Sequence, residues 1–339
     1  MTDDTLGDVI ARAIARRRAL LEQLARQDTD CVRLLHGVME DRPGLTIDRY
    51  GPVLLVQTWR EPLENGALEV IHERVTRELS IELAPCWNHR GPSRREGVIG
   101  SAADDARLEA PIGRELGARY DVRPRHRGQD PLLFLDLRAG RRWVRGASEG
   151  RSVLNLFAYT CGVGVAAALG GAREVWNVDF AESALSIGRA NAERNGIAPE
   201  RFATLHQDVI PALRQLAGLP VKGRGARRRS FATLAPRTFD LVVLDPPRWA
   251  RTPFGAIDVV RDYPSLLKPA LLACAPGGAV LATNHVPTVD LEDWLAVLRR
   301  TAEKAGRPLA SLEVLAPDQD FPSPDARPPL KLAIARTAT

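Results

Sequence analysis

At 339 residues the chain is long enough for about two domains. Apolar side chains make up 45% of it and charged ones 26%, the values of a soluble globular protein with a sizeable core. A formal charge of +5 is compatible with a polyanionic partner without requiring one. Cys31, Cys86, Cys161 and Cys274 stand too far apart for a Cys-x-x-Cys zinc site, so no metal is expected. They suggest no disulfide framework either, which points to a reducing compartment. The first residues lack the apolar run of a signal peptide. No stretch approaches the roughly 20 apolar residues of a membrane span, so the expectation is a cytoplasmic protein with no membrane contact.

Residues 5–27 place Leu6, Val9, Ile10, Ala13, Ile14, Leu20, Leu21 and Leu24 at helical spacing. The run Arg16-Arg17-Arg18 inside this helix reads as a solvated face, with RNA contact as the alternative. Residues 44–59, GLTIDRYGPVLLVQTW, alternate around Tyr50-Gly51 as a hairpin. A helix over about 61–80 follows, then strands near Cys86–His89 and Arg119–Val122. This first part, residues 1–120, reads as a small α+β domain without a chemical constellation.

From about residue 130 strands alternate with helices: SVLNLFAY, EVWNVD, RFATLHQD, FDLVVLD and AVLATN mark the strands. That alternation argues for a parallel sheet covered by helices on both faces, over residues 121–339. The stretch 221–237, VKGRGARRRSFATLAPR, interrupts it and reads as a long basic loop.

Four motifs carry chemistry. In VLNLFAYTCGVGVAAAL (153–169) a strand ends in a Gly162-x-Gly164 turn that opens a helix of small residues. Glycine permits the tight turn and lets a ligand approach the backbone, although a plain strand-to-helix turn would look the same. About 20 residues on, Asp179 closes EVWNVD, where a carboxylate can take both ribose hydroxyls of a nucleoside cofactor; capping the next helix is the alternative. Asp208 closes a third strand, beside the adenine position in such folds. In LVVLDPPRWA (241–250) the prolines fix a rigid turn that aims Asp245 and the carbonyls of Pro246 and Pro247 into the crevice at the strands' carboxyl ends. Position 167 is Ala, so the full dinucleotide pattern G-x-G-x-x-G is missing, and no P-loop occurs.

With these motifs and FLDLRAGRRWV (134–144), residues 130–285 resemble the bacterial class I methyltransferases that modify 23S ribosomal RNA, whose members make 5-methylcytosine or 7-methylguanine. PGLTIDRYGPVLLVQ (43–57) resembles the small domain preceding the catalytic domain in that family. The resemblance implies a Rossmann-like α/β domain with a mostly parallel seven-stranded sheet. It implies S-adenosyl-L-methionine as cofactor, bound by Asn155, Phe157, Ala158, Tyr159, Gly162, Gly164, Asp179, Phe180, Asp208 and Val209, with Asp136 and Arg138 at the pocket's edge. Asp245, Pro246, Pro247 and Arg248 are the expected catalytic turn. Two departures stand out: the N-terminus is expected to leave no room for the RNA-binding PUA domain of the 5-methylcytosine branch, and AVLATNHVPTV lacks that branch's cysteine.

Cytosine carbon 5 becomes nucleophilic only after a thiolate adds to the ring. Cys161 lies in the cofactor loop and Cys274 reads as part of the helix before Pro276, both as packing residues. An N-methylated guanine in RNA is therefore the expected product; a protein amide, a small molecule, or a non-catalytic RNA-binding role are the alternatives. Arg248 and Trp249 would face the base, Trp249 being equally readable as a core residue, and His285 reads as a polar loop residue. VRPRHRG (122–128), RAGRRWVRG (138–146) and KGRGARRR (222–229) favour RNA as partner.

Overall fold

The computed structural model describes residues 5–90, 95–96, 106–126, 130–221, 231–252, 254–325 and 327–339. The Arg-rich run 222–229 and the end of the segment 122–128 lie outside them.

The chain divides into two compact units. The first comprises residues 1–138 and 318–326, the second residues 139–317 and 327–339. The first unit thus takes in residues 318–326 from far downstream.

In the first unit, helix α1 (Leu6–Arg26) starts at Thr5, whose hydroxyl accepts the Asp8 amide hydrogen. It buries a stripe through Val9, Ile10, Ala13, Ile14, Leu20 and Leu24. The stripe also includes Arg17, 4% exposed, which donates to the Ala13 carbonyl and to Glu40. The arginine run is therefore not simply a solvated face. Strands β1 (Cys31–His36), β2 (Leu45–Tyr50) and β3 (Val53–Thr58) pair antiparallel. Tyr50 pairs with Val53 around Gly51, whose positive φ of 57° and close approach to the Ile112 carbonyl leave no room for a Cβ. Helix α2 (Ala67–Leu79) crosses over to β4 (Ala84–Arg90), parallel to β3. A short β5 (Arg95–Glu96) closes this five-stranded sheet, and β6 (Ile112–Glu115) with β7 (Ala118–Asp121) forms a separate hairpin.

The first unit is tied together by a buried charge cluster. Arg138 is 0% exposed. Its guanidinium meets Asp320 at 3.0 Å, Asp318 at 2.9 Å and Glu115 at 3.4 Å, and donates to the Cys31 carbonyl at 2.7 Å. The amide of Arg33 donates to Asp320, and its guanidinium lies 4.6 Å from the centre of the Phe321 ring. The segment after residue 317 is thus held by ion pairs. Arg138, expected at the edge of the cofactor pocket, lies in this buried charge cluster of the first unit.

The second unit begins within helix α3 (Arg138–Ala147), after its first residue, continues through β8 (Ser152–Leu156), α4 (Gly162–Leu169), β9 (Glu174–Asp179), α5 (Glu182–Arg194), β10 (Phe202–His206), α6 (Val209–Leu216) and β11 (Phe239–Leu244), and then forms a small hairpin, β12 (Trp249–Thr252) with β13 (Gly255–Asp258). Helix α7 (Tyr263–Leu272), β14 (Cys274–Asn284), α8 (Leu291–Lys304), β15 (Leu309–Leu315) and β16 (Lys331–Thr337) complete it. Cys274 opens β14 instead of lying in the preceding helix. The seven-stranded sheet runs β10-β9-β8-β11-β14-β16-β15. Strands β10 to β14 are parallel, and β16 pairs antiparallel with both β14 and β15. No helix among the described residues is long and apolar enough to cross a membrane.

Removing Arg138 strands two buried carboxylates, Glu115 and Asp320. Arg138→Met should therefore lower the stability of the first unit by about 3–5 kcal/mol, read as an earlier transition in chemical denaturation.

Candidate functional site

The chain winds from β8 outward through β9 to β10, then returns across β8 to lay down β11. The switch point of this doubly wound sheet lies between β8 and β11, where such sheets bind ligands at the strands' carboxyl ends. The register arranges the expected residues in one row. Leu156 pairs with Val178 and with Leu244, so the next residues, Phe157, Asp179 and Asp245, emerge side by side. His206 pairs with Asp179 and Leu244 with Ala282, which adds His206 at one end and Thr283 at the other.

The turn after β8 is strained. Phe157, Tyr159 and Cys161 have φ of 58°, 49° and 59°, a left-handed region that non-glycine residues seldom enter and that clusters at functional sites. Asp179 holds this turn. Its Oδ2 accepts the Tyr159 amide hydrogen at 2.8 Å and its Oδ1 the Ala181 amide hydrogen at 2.8 Å. The carboxylate is 5% exposed. Burial raises its pKa, and the amide hydrogen bonds from Tyr159, Ala181 and Phe180 only partly offset that.

Gly164 is required for packing. A Cβ there would lie 2.0 Å from Asn177 Oδ1. The same oxygen accepts from Asn155 Nδ2 at 2.9 Å, and Asn155 is 2% exposed. Asn155 therefore supports the floor of the turn between β8 and β9 and does not present its amide at the surface. Phe157 and Ala158 are also buried, Gly162 opens α4, and Phe180 exposes 54% of its surface beside Asp179. Cys161, at the head of α4, packs against Gly188 of α5, where a Cβ would meet its sulfur at 2.4 Å.

Asp208 lies two residues beyond β10 and caps α6, its Oδ1 accepting from the Ile210 amide at 2.9 Å. Its Oδ2 is buried without a hydrogen-bond partner among the described residues. An acceptor left in that state calls for a donor from outside the chain, and the exocyclic amine of an adenine is such a donor. With buried Val209 below it and the Phe180 ring exposed nearby, the residues present fit an adenosyl group. Asp136 belongs to the first unit and lies near Arg33 and Tyr50, whose ionisation it influences.

The Asp-Pro-Pro-Arg turn is braced from β14 and α7. The Thr283 hydroxyl donates to Asp245 Oδ1. The Thr283 carbonyl accepts from the Tyr263 hydroxyl at 2.9 Å, and the Tyr263 ring packs edge-on against Trp294 with centroids 5.7 Å apart. Burial and the Asp245 charge hold the Tyr263 pKa well above its ordinary value, so it stays a neutral donor. The Arg248 amide donates to His285 Nε2 at 3.0 Å, which makes His285 a brace of this turn. Sequence reasoning passed over Thr283 and read His285 as a polar loop residue, because their partners lie 38 and 37 residues away; only the pairing of β11 with β14 joins them.

A twisted parallel sheet with carboxylates after successive strands, a glycine-opened helix and an Asp-Pro-Pro turn at the switch point defines a nucleoside-cofactor site of the group-transfer kind. The chain belongs to the S-adenosylmethionine-dependent methyltransferase family, which it matches over residues 32–336. It is 33% identical over 305 residues to a ribosomal RNA large subunit methyltransferase of Deinococcus radiodurans, covering 87% of this chain and 69% of that one. It is 30% identical over 315 residues to ribosomal RNA large subunit methyltransferase I of Aeromonas hydrophila, covering 90% and 73%. The fold is also that of a methyltransferase crystallised with SAH, at a TM-score of 0.77 and 22% identity, covering 99% of this chain and 83% of that one.

Asp179→Ala should weaken S-adenosylmethionine binding by about 10- to 100-fold, the loss of hydrogen bonds to a charged acceptor, with calorimetry as the measurement. The pH dependence has a definite sign. Burial makes the ionised form costly, so Asp179 takes up its proton at a higher pH than an ordinary carboxyl group. A protonated acid accepts poorly from two ribose hydroxyls, so wild-type affinity should fall on acidification from above the usual aspartate range. The Asp179→Asn protein should lack that fall.

Thr283→Val removes the donor to Asp245 while keeping the β-branched shape. Turnover should drop about tenfold or more, with cofactor affinity unchanged by calorimetry.

Proposed function

We propose that this methyltransferase N-methylates a guanine of large-subunit ribosomal RNA in the cytoplasm. The observation that carries the choice of nitrogen over carbon is the state of the cysteines. All four are buried. Burial pushes the Cys274 thiol up to about 11, and it raises Cys31 and Cys161 further. A buried thiol with a raised pKa is a poor source of the thiolate that cytosine carbon methylation needs. The choice of ribosomal RNA draws on the relatives from Deinococcus and Aeromonas, which bear that activity in their names.

Bound S-adenosylmethionine supplies an electrophilic methyl on a sulfonium. The protein's task is then to hold a nitrogen lone pair in line with it, largely a matter of positioning. Asp245 and the Pro246 carbonyl are acceptors that match guanine's N–H groups, and the Arg248 guanidinium matches its O6. Pro246 and Pro247 fix the turn because neither can lend an amide hydrogen to a helix. The Thr283 hydroxyl keeps Asp245 facing the crevice, and His285 sets the path of the backbone at Arg248. Ring nitrogen 7 carries no proton and needs no base. An exocyclic amine would pass its proton to Asp245 as the new nitrogen–carbon bond forms.

Mass spectrometry of ribosomal RNA nucleosides from a strain lacking this protein should show one methylguanosine missing and 5-methylcytidine at its normal level. In vitro, a variant with all four cysteines changed to alanine should keep most of its turnover, whereas Asp245→Ala should lose about 100-fold or more. A folded but inactive cysteine-free protein, or a missing 5-methylcytidine, would overturn the assignment.

A further inference from the structure

Beyond the catalytic turn the chain forms a hairpin whose two faces differ. Ile257 and Val259 are 4% and 3% exposed and belong to the core of the second unit. The Val259 amide donates to the Arg248 carbonyl at 3.2 Å, which ties the hairpin's far strand to the catalytic turn. The outer face carries Trp249 and Val260, which expose 58% and 49% of their surfaces, and Arg261, whose side chain is 84% exposed. Together with Arg248 and Asp258 these residues line an open pocket of about 480 Å³, within the range of small-ligand sites. Asp258 is engaged locally: it accepts the Val260 amide hydrogen at 3.0 Å and lies 3.8 Å from Arg261.

An indole exposed on a hairpin anchored in the core is a stacking platform in a fixed position, and the pocket's rim carries two guanidinium groups against one engaged carboxylate. Aromatic faces beside arginines suit single-stranded nucleic acid, which offers a π-face and a phosphate at every step. We infer that this pocket holds a nucleotide flanking the methylated one, its base stacked on Trp249 and its phosphate facing Arg261. The inference rests on RNA being the substrate. It adds a recognition subsite that reads the unpaired state of the strand and takes no part in methyl transfer.

The test uses the full-length enzyme, S-adenosylmethionine and large-subunit ribosomal RNA transcribed in vitro. Trp249→Ala should raise the KM for the transcript about tenfold or more, the scale of losing one base–aromatic stack. The dissociation constant of S-adenosylmethionine should not move, which also shows that the variant is folded. Trp249→Phe should recover most of the loss, because a phenyl ring still stacks. Arg261→Gln should lower the slope of log affinity against log salt by about one. A KM for Trp249→Ala equal to that of the wild type, or a Trp249→Phe protein no better than Trp249→Ala, would overturn the subsite and leave the ribosomal RNA assignment standing. Failure of the wild type to methylate the transcript would overturn both.

Discussion

The site depends on one buried carboxylate. Asp179 closes β9 and takes amide hydrogens from both sides, one from the turn after β8 and one from its own turn into α5. The first helps to hold a turn in which Phe157, Tyr159 and Cys161 stand in the left-handed region, a conformation that costs strain. The price is a carboxylate held away from water, visible in its raised pKa. The structural role thus falls on the same group that is expected to take the ribose hydroxyls.

The Asp-Pro-Pro-Arg turn is built differently. Its rigidity comes from covalent constraint at Pro246 and Pro247, and its aim comes from the neighbouring strand. β14 contributes Thr283 to Asp245, and the loop after it contributes His285 to Arg248. The start of that loop is itself fastened by Lys331 of β16, whose ammonium donates to the Val286 carbonyl at 2.9 Å. Burial lowers the pKa of this lysine. The antiparallel edge of the sheet therefore does more than finish the fold; it sets the geometry of a turn two strands away.

The arginines show how far composition can mislead. Arg17, Arg138 and Arg141 sit in runs that read as basic patches, yet each is at most 4% exposed. Arg138 and Arg17 are spent on internal ion pairs. In the segment 122–128, Arg123 pairs with Asp121 and Arg125 donates to the Trp87 carbonyl. A run of like charges records a bias in composition, and burial decides which of its members meet solvent. Among the described residues, Arg248 and Arg261 are exposed cations beside the site, and they belong to no run.

The alternating strands and helices of the second unit, the glycine-opened helix, and the carboxylates at 179, 208 and 245 were legible in the sequence. Each depends on local chemistry: apolar periodicity, the freedom of glycine, the rigidity of proline. The Tyr50-Gly51 hairpin was legible for the same reason. The tertiary structure alone decided that Trp249 faces solvent, that His285 and Thr283 brace the Asp-Pro-Pro-Arg turn, that Asn155 supports the turn after β8 from beneath, and that residues 318–326 belong with the first unit. Those outcomes are set by strand register and by hydrogen bonds and ion pairs between groups from 22 to about 290 residues apart. A single sequence records which residues prefer a strand or a turn; which distant residue lies opposite is fixed only when the sheet closes and the buried charges must find their partners.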